Sequence, residues 1–598
     1  MDRQQILGFG LIFLLLIVWM VLNTPPPAPL EQVSTDSTQQ VRRADTTAER
    51  VQTAMPPETS EQTQIDPYGK FFSARATGTD ASLIIETDLY TAKISSKGGL
   101  VTQWELKKFK TWDGLPVQLV DTSNAGDFSL LFITTDGKRI NTRELYFDLP
   151  PTFGGAIQLS SEQQYSLDVT LPTSSGGSIV KTLVFKNGTY GLDAAYKFNR
   201  VADAIAFEYQ VVWENGLLYA EKNSHDEASF GSAYALAGGE LTEIDATDVG
   251  VKTQKDLAGT VNWVATRNKY FALAMMPEQG KSEGAFLEGT RKALPNDGVM
   301  ESYNVSLKMP FGAGISETAN FKVYLGPLDI DELTKYENGI EGIMSLGWAW
   351  IIRPISEYIM LPLMSLLHYV IPNWGLVIIV FTFIIKIALH PLSKSSMKSM
   401  KRMQSLQPMM NEIREKHKDD PQKMNAAIMN MYREYGVNPA GGCLPLLLQF
   451  PILIALYNVF RGAIELRQAD FFWWINDLSV PDVVMTLPFT IPFFGITELS
   501  GLALLMGVTM FIQQKMSVQD PRQKMMVWMM PVMMTLLFNS FPSGLNLYYF
   551  VFNLLSIVQQ SYVNKKHKGD PIRKVDEKKR SGGIIARLTK NLPQPPKR

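Results

Sequence analysis

Residues 374–392 read WGLVIIVFTFIIKIALHPL, an apolar run long enough to cross a bilayer as a helix. Lys386 lies inside it with no acidic residue in the run to neutralise it. An unpaired cation in the middle of a span costs about 2.5–3.5 kcal/mol on insertion scales, so it needs a wet or polar refuge. Two refuges fit the pattern. Thr382, four residues earlier, shares a helix face with Lys386 and points to a polar pocket. Alternatively the amine snorkels past His390-Pro391 to the near membrane surface.

Outward from this run, further span candidates are Leu444–Phe460, Leu499–Ile512, Met525–Phe541 and Leu545–Val563. The third of the five is the weakest, because Pro488, Pro492 and Gly495 interrupt the pattern before it. An apolar segment at Ile6–Leu22 lacks an A-x-A cleavage pattern and reads as a retained anchor, with a cleaved signal peptide as the alternative. The loops between spans alternate in charge. The 393–438 loop, the Lys515–Lys524 turn and the tail are basic, the 464–486 loop is mostly acidic, and the 541–544 turn is uncharged. By the positive-inside rule this gives six spans with both termini cytoplasmic.

The chain's net charge of −1 hides two unlike halves. Residues 24–340 are acidic by about a dozen charges and the remainder is basic by about as many. Residues 24–67, rich in Pro, Thr, Gln, Ser and Glu, read as a disordered tether. The segment 68–330 changes texture. Ser82–Thr87, Leu89–Ser95, Phe128–Thr134 and Ala206–Trp213 alternate like strands, with turns at Gly98-Gly99, Asp136-Gly137 and Asn187-Gly188, so a large all-β sandwich outside the membrane is expected. His225-Asp226-Glu227 is the nearest thing to a catalytic group there and reads better as an exposed loop. Residues 340–367 mix Trp348, Trp350, Arg353 and Glu357 with aliphatics and suggest a helix lying in the interface. The single cysteine, Cys443, excludes an internal disulfide framework, and the scattered histidines have no metal-ligand spacing. No phosphate-binding loop of the G-x-x-x-x-G-K-[ST] type occurs, and no cofactor is expected.

Two further patterns carry candidate function. In 393–438, Met397, Met400, Met403, Met410, Met424 and Met431 recur at helical steps, with Asp420 and Pro421 starting a second helix and Gly436 ending it. This predicts an antiparallel helical hairpin, whose methionines form either a soft surface for varied apolar peptides or the hairpin's own seam. Polar residues also punctuate the spans, among them Gln449, Gln514, Tyr549 and Asn553. Bonds between helices account for such residues in general. A shared hydrated pocket with Lys386 is the functional alternative.

The strings NWGLVIIVFTFIIKIALHPLSK, LQPMMNEIREKHKDDPQKMNAAIMNMYREYGVNPAGGCLPLLLQFPILIALYNVF, GVTMFIQQKMS and FPSGLNLYYFVFNLLSIVQQ resemble the YidC membrane protein insertases of Gram-negative bacteria. ETDLYTAKISSKGG is the clearest echo in the β region. The resemblance implies a multi-domain inner-membrane protein: an N-terminal anchor (1–23), a linker (24–67), a periplasmic β-supersandwich (68–330) like that of sugar mutarotases without their activity, an interfacial helix (340–367), a five-helix core (368–563) with the cytoplasmic hairpin, and a basic tail (564–598). It implies a hydrated groove holding Lys386, Thr382 and Tyr549, with Gln449, Gln514 and Asn553 matching polar family positions less closely. Nascent membrane proteins, lipid, the Sec translocon and, through the tail, the ribosome are the implied partners of a monomer that is not an enzyme. One departure stands out: those insertases carry arginine where this chain has Lys386, which keeps the charge and loses the five-donor fork. A solute transporter or channel, and a membrane-tethered carbohydrate-binding protein, are the rival readings. The first predicts an internal repeat of spans, which the sequence lacks.

Overall fold

The computed structural model describes residues 66–121, 126–151, 153–278, 282–312, 314–437, 444–492, 494–517 and 524–566. The expected anchor, most of the expected linker, Cys443 and nearly all of the basic tail lie outside the described residues.

Up to Pro327 the chain is β-rich. Three sheets of eight, six and five strands carry it, and every strand pair but one is antiparallel. The exception joins Ser82–Glu86 to Gly155–Gln158. Strict alternation explains these strands: Ser178–Lys186 buries every second residue, Ile179, Lys181, Leu183 and Phe185. Gly98, Gly99, Gly137 and Gly188 all take positive φ at the expected turns. Trp104, Trp213 and Trp263 lie fully buried in the core.

Nine helices of ten or more residues follow among the described residues: α1 (Leu361–Val370), α2 (Trp374–Ala388), α3 (His390–Ser405), α4 (Gln407–Lys416), α5 (Pro421–Glu434), α6 (Leu444–Gly462), α7 (Gly501–Ser517), α8 (Lys524–Phe538) and α9 (Ser543–Lys566). Each apolar run overlaps one of α2, α6, α7, α8 and α9, and a proline shortens the first of them. Pro391 cannot donate to Ile387, so α2 stops at Ala388 and α3 leaves at an angle. Among the described residues no single helix is long and apolar enough to cross a membrane. Trp374–Ala388 and Ser393–Ser405 meet that requirement together, bent by 66°. α9 has the length, at 24 residues, but Asn546, Asn553, Gln559 and Gln560 dilute its apolar character.

Four expectations need correction. Residues 340–367 are not one helix. A 3-10 turn at Ile340–Ile343 and a left-handed Gly347 (φ 95°) precede a helix that starts only at Ile352, passes through a π turn at Ser356–Met360 and runs to Val370. Pro362 explains the π turn, since it lacks the N–H that would bond to Tyr358. The first arm of the 393–438 segment breaks at Leu406, because Pro408 cannot donate to Gln404. Leu499 belongs to a β-hairpin, Val483–Ile491 with Ile496–Ser500, that the sequence analysis missed. His225-Asp226-Glu227 is no exposed loop: it forms the helical turn Ser224–Ala228, with Glu227 fully buried.

That turn is where the β region meets the helices. Asp226 pairs with Lys269 at 2.7 Å and with Arg461, just past the end of the Leu444–Phe460 run, at 2.7 Å. Burial favours the neutral acid, but Lys269 and Arg461 prevail and hold the Asp226 carboxyl below the usual range. Arg467 adds a second tie, to Glu221 at 2.6 Å and to the Lys110 carbonyl.

Candidate functional site

Asn373 caps α2 by accepting from the Leu376 amide at 3.0 Å, which sets the helix start and hence the phase of Thr382 and Lys386. Both lie on the buried face, Thr382 at 0% exposure and Lys386 at 9%. The amine does not snorkel. It turns inward to α9, donates to Ser556 Oγ at 2.6 Å and lies 3.9 Å from the centre of the Phe552 ring. No carboxylate among the described residues pairs with it. Ser556 in turn donates to the Phe552 carbonyl, 2.8 Å away.

The opposing wall is one stripe of α9. Asn546, Tyr549, Asn553, Ser556 and Gln560 follow each other at three- and four-residue steps and so share a face. Asn553 donates to Thr509 of α7 at 3.4 Å. Tyr549 is half-buried and packs edge-on against Phe538 and Tyr548, with ring centres 5.3 and 5.2 Å apart. At the start of α9 the stripe ends in a bonded network. Asn546 donates to the Phe538 carbonyl at 3.1 Å, Asn539 donates to the Glu498 carbonyl at 2.7 Å, and Asp482 accepts from the Leu502 amide at 2.7 Å.

The expected residues therefore fall into groups. Lys386 and Asn553 bond to neighbouring helices around the middle of α9, and Tyr549 lies on the same stripe. Thr382 sits one turn from the amine but spends its hydroxyl on the Ile378 carbonyl of its own helix, at 2.6 Å. Gln514 donates to Met530 Sδ of α8 instead, and Gln449 lies half-buried on α6, bonded to none of the others. Ser556, Phe552 and Thr509 were missed, although the spacing of Ser556 from Asn553 and Tyr549 already placed it on their stripe.

In the 393–438 segment, Met410 and Met431 are buried against Leu406 and Val437, where α4 packs on α5. These two are seam residues. Met403 packs beside them, and Met397, Met400 and Met424 remain partly exposed. Asp420 caps α5 by accepting from the Lys423 amide, and Gly436 follows the helix with φ 60°. Among the described residues no group of His, Cys, Asp or Glu gathers to hold a metal.

Comparison with known proteins adds the following. Residues 366–570 match the family model of the 60Kd inner membrane protein, and residues 82–357 that of the YidC periplasmic domain. The membrane protein insertase YidC of Chlorobaculum parvum is 40% identical over 570 residues, covering 94% of each chain. That of Chlorobium phaeovibrioides is 39% identical over 599 residues, covering 98% of this chain and 100% of its own. Among solved structures, an active YidC insertase crystal structure with the first transmembrane domain resolved aligns at a TM-score of 0.35 and 19% identity, over 82% of this chain and 94% of its own. A putative aldose 1-epimerase from Escherichia coli K12 aligns at a TM-score of 0.26 and 10% identity over 41% of this chain.

Proposed function

The chain belongs to the YidC family of membrane protein insertases, and from that premise we propose that Lys386 and the polar stripe of α9 receive the polar stretches of its substrates. It is a non-enzymatic inner-membrane protein with a β-rich periplasmic domain, and nascent membrane proteins are its substrates. The observation that supports this site is the amine itself, held inside the helices on the Ser556 hydroxyl and, among the described residues, without a carboxylate partner.

The mechanism follows from partitioning. An apolar substrate helix gains free energy by entering lipid, while its polar flank loses hydration on the way. Hydroxyls, amides and one cation along the path replace part of that hydration. A positive charge without a carboxylate partner also attracts the acidic residues of a crossing tail. In this reading α2, α6, α7, α8 and α9 cross the membrane with the N-terminal anchor, and both termini are cytoplasmic. The α3–α5 segment meets substrate in the cytosol through Met397, Met400 and Met424. The segment 352–370 lies in the outer interface, the basic tail approaches the ribosome, and the protein works as a monomer alone or beside the Sec translocon. The charge alternation of the loops supports this orientation.

Photocrosslinkers placed at Lys386 and Tyr549, with Gln449 for comparison, test the site against stalled nascent chains. Substrate adducts from the first two are expected. Adducts to lipid alone would remove the groove reading.

A further inference from the structure

The hairpin Val483–Ile491/Ile496–Ser500 stands uncovered. Its register pairs Met485 with Leu499 and Thr486 with Glu498. The register shifts between Val483 and Met485 and again between Thr486 and Ile491, so the first strand is bulged, and its exposed large apolar side chains are Val483, Val484, Met485 and Phe489. They leave an open apolar surface: Met485 is 52% and Phe489 61% exposed. Not one charged residue occurs from Val483 to Thr497.

Two observations fix where this face lies. Ser500 passes directly into Gly501, the first residue of α7, and Asp482 ties both ends of the hairpin to that helix start through the Gly501 and Leu502 amides. The hairpin thus stands at the very end of a span helix. Beside it is a second exposed apolar patch, Phe472, Trp473 and Trp474, whose Trp474 indole donates to Asp482 at 2.9 Å. Tryptophans collect where a bilayer meets water.

An isolated two-stranded hairpin is barely stable in water, and open edges beside an apolar face invite aggregation. Hydrocarbon would leave the edge amides and carbonyls unbonded. The headgroup zone meets both needs, because acyl chains cover the apolar face while water and headgroups bond the edges. We propose that this hairpin lies in the outer-leaflet interface of the bilayer, with its exposed Met485 and Phe489 toward the acyl chains. It anchors the outer end of α7 together with the Phe472–Trp474 patch.

The inference rests on α7 crossing the bilayer, so the test carries its own control. Single cysteines replace Met485, Phe489 or Val508 in the full chain bearing Cys443→Ser, and each carries a polarity-sensitive fluorophore. Val508 is a 57% exposed residue of α7. The proteins are reconstituted in phosphatidylethanolamine–phosphatidylglycerol vesicles. The labels at Met485 and Phe489 should lose fluorescence to lipids with a quencher near the headgroup and resist aqueous iodide. The label at Val508 should respond to a quencher near the acyl chain end. Lipid quenching at Val508 with iodide quenching at Met485 and Phe489 would overturn the proposal and leave the span intact. Protection from both quenchers at Met485 and Phe489 would mean a protein covers the face, which also overturns it. An unquenched Val508 would remove the span and the proposal together.

Discussion

Lys181 and Lys386 are both cations enclosed by apolar side chains, one in the β region and one among the helices. Lys181 is fully buried, donates to the carbonyls of Gly99 at 2.6 Å and Phe128 at 2.5 Å, and faces the rings of Phe128 and Tyr196. Lys386 also faces a ring, that of Phe552, but its one hydrogen bond goes to a side-chain hydroxyl. An ammonium has three donors. Two backbone carbonyls, one in the Gly98-Gly99 turn and one just before the strand at Ser129, make Lys181 part of the fold. A serine oxygen can leave by a turn about χ1, which backbone carbonyls cannot do, so under the proposed function the Lys386 amine exchanges this partner for substrate. Burial alone does not distinguish the two lysines; the kind of acceptor does, and it is on that difference that the proposed role of Lys386 rests.

The largest effect belongs to Lys181. Lys181→Met leaves the buried Gly99 carbonyl without its donor and the Phe128 carbonyl with only the Tyr196 hydroxyl at 3.4 Å, and should lower stability by about 1–3 kcal/mol, read as thermal unfolding of the full chain. Insertion at a permissive temperature should survive, and its loss without a stability change would break the comparison. Burial also pushes the Lys181 amine down to about 7, against an ordinary 10.5, while the nearby Asp127 opposes the shift. Between those values the unfolded chain binds more protons than the folded one, so stability should rise with pH, by up to about 1.4 kcal/mol per unit. Below pH 7 this contribution is flat. Denaturant titrations across that window should show the slope in the wild type and not in Lys181→Met.

Next comes charge reversal at the other lysine. Lys386→Glu should slow insertion of substrates with acidic tails by about tenfold, equivalent to about 1.4 kcal/mol, with a smaller effect on neutral tails. Equal insertion of both would count against an electrostatic role. Ser556→Ala removes the amine's acceptor and should cost about 0.6 kcal/mol, close to a threefold change in insertion rate. The smallest change is expected of Lys386→Arg, within about twofold of wild type, since the charge remains and no bidentate partner faces it.

Local pattern made much of this legible. The strands at Ser82, Tyr90, Ser129 and Ile205 begin within one residue of where alternation starts, and the start and stop of α5 follow from Asp420, Pro421 and Gly436. Lys386 stood out because a cation interrupted an apolar run. Lys181 carried an equivalent signal, a lysine in the inward phase of Ile179, Leu183 and Phe185, and it passed unnoticed because strands are expected to mix polar and apolar residues. The Asp226–Arg461 pair was not legible, since its partners are 235 residues apart and only the tertiary fold brings them together. The hairpin at Val483 was hidden by its prolines, which read as breaks before a helix when they belonged to a bulged two-stranded sheet.

The bend after α2 has an electrostatic consequence. Because Pro391 ends the helix at Ala388, Lys386 sits in the last turn, where the aligned peptide dipoles leave a partial negative charge worth about 0.3–1 kcal/mol to a nearby cation, and up to about 2 when partly buried. A counter-field made of backbone serves the amine without a counter-ion. Under the proposed function, a carboxylate in that position would compete with every acidic residue of a passing substrate, whereas a helix end would steady the charge and leave it open to them.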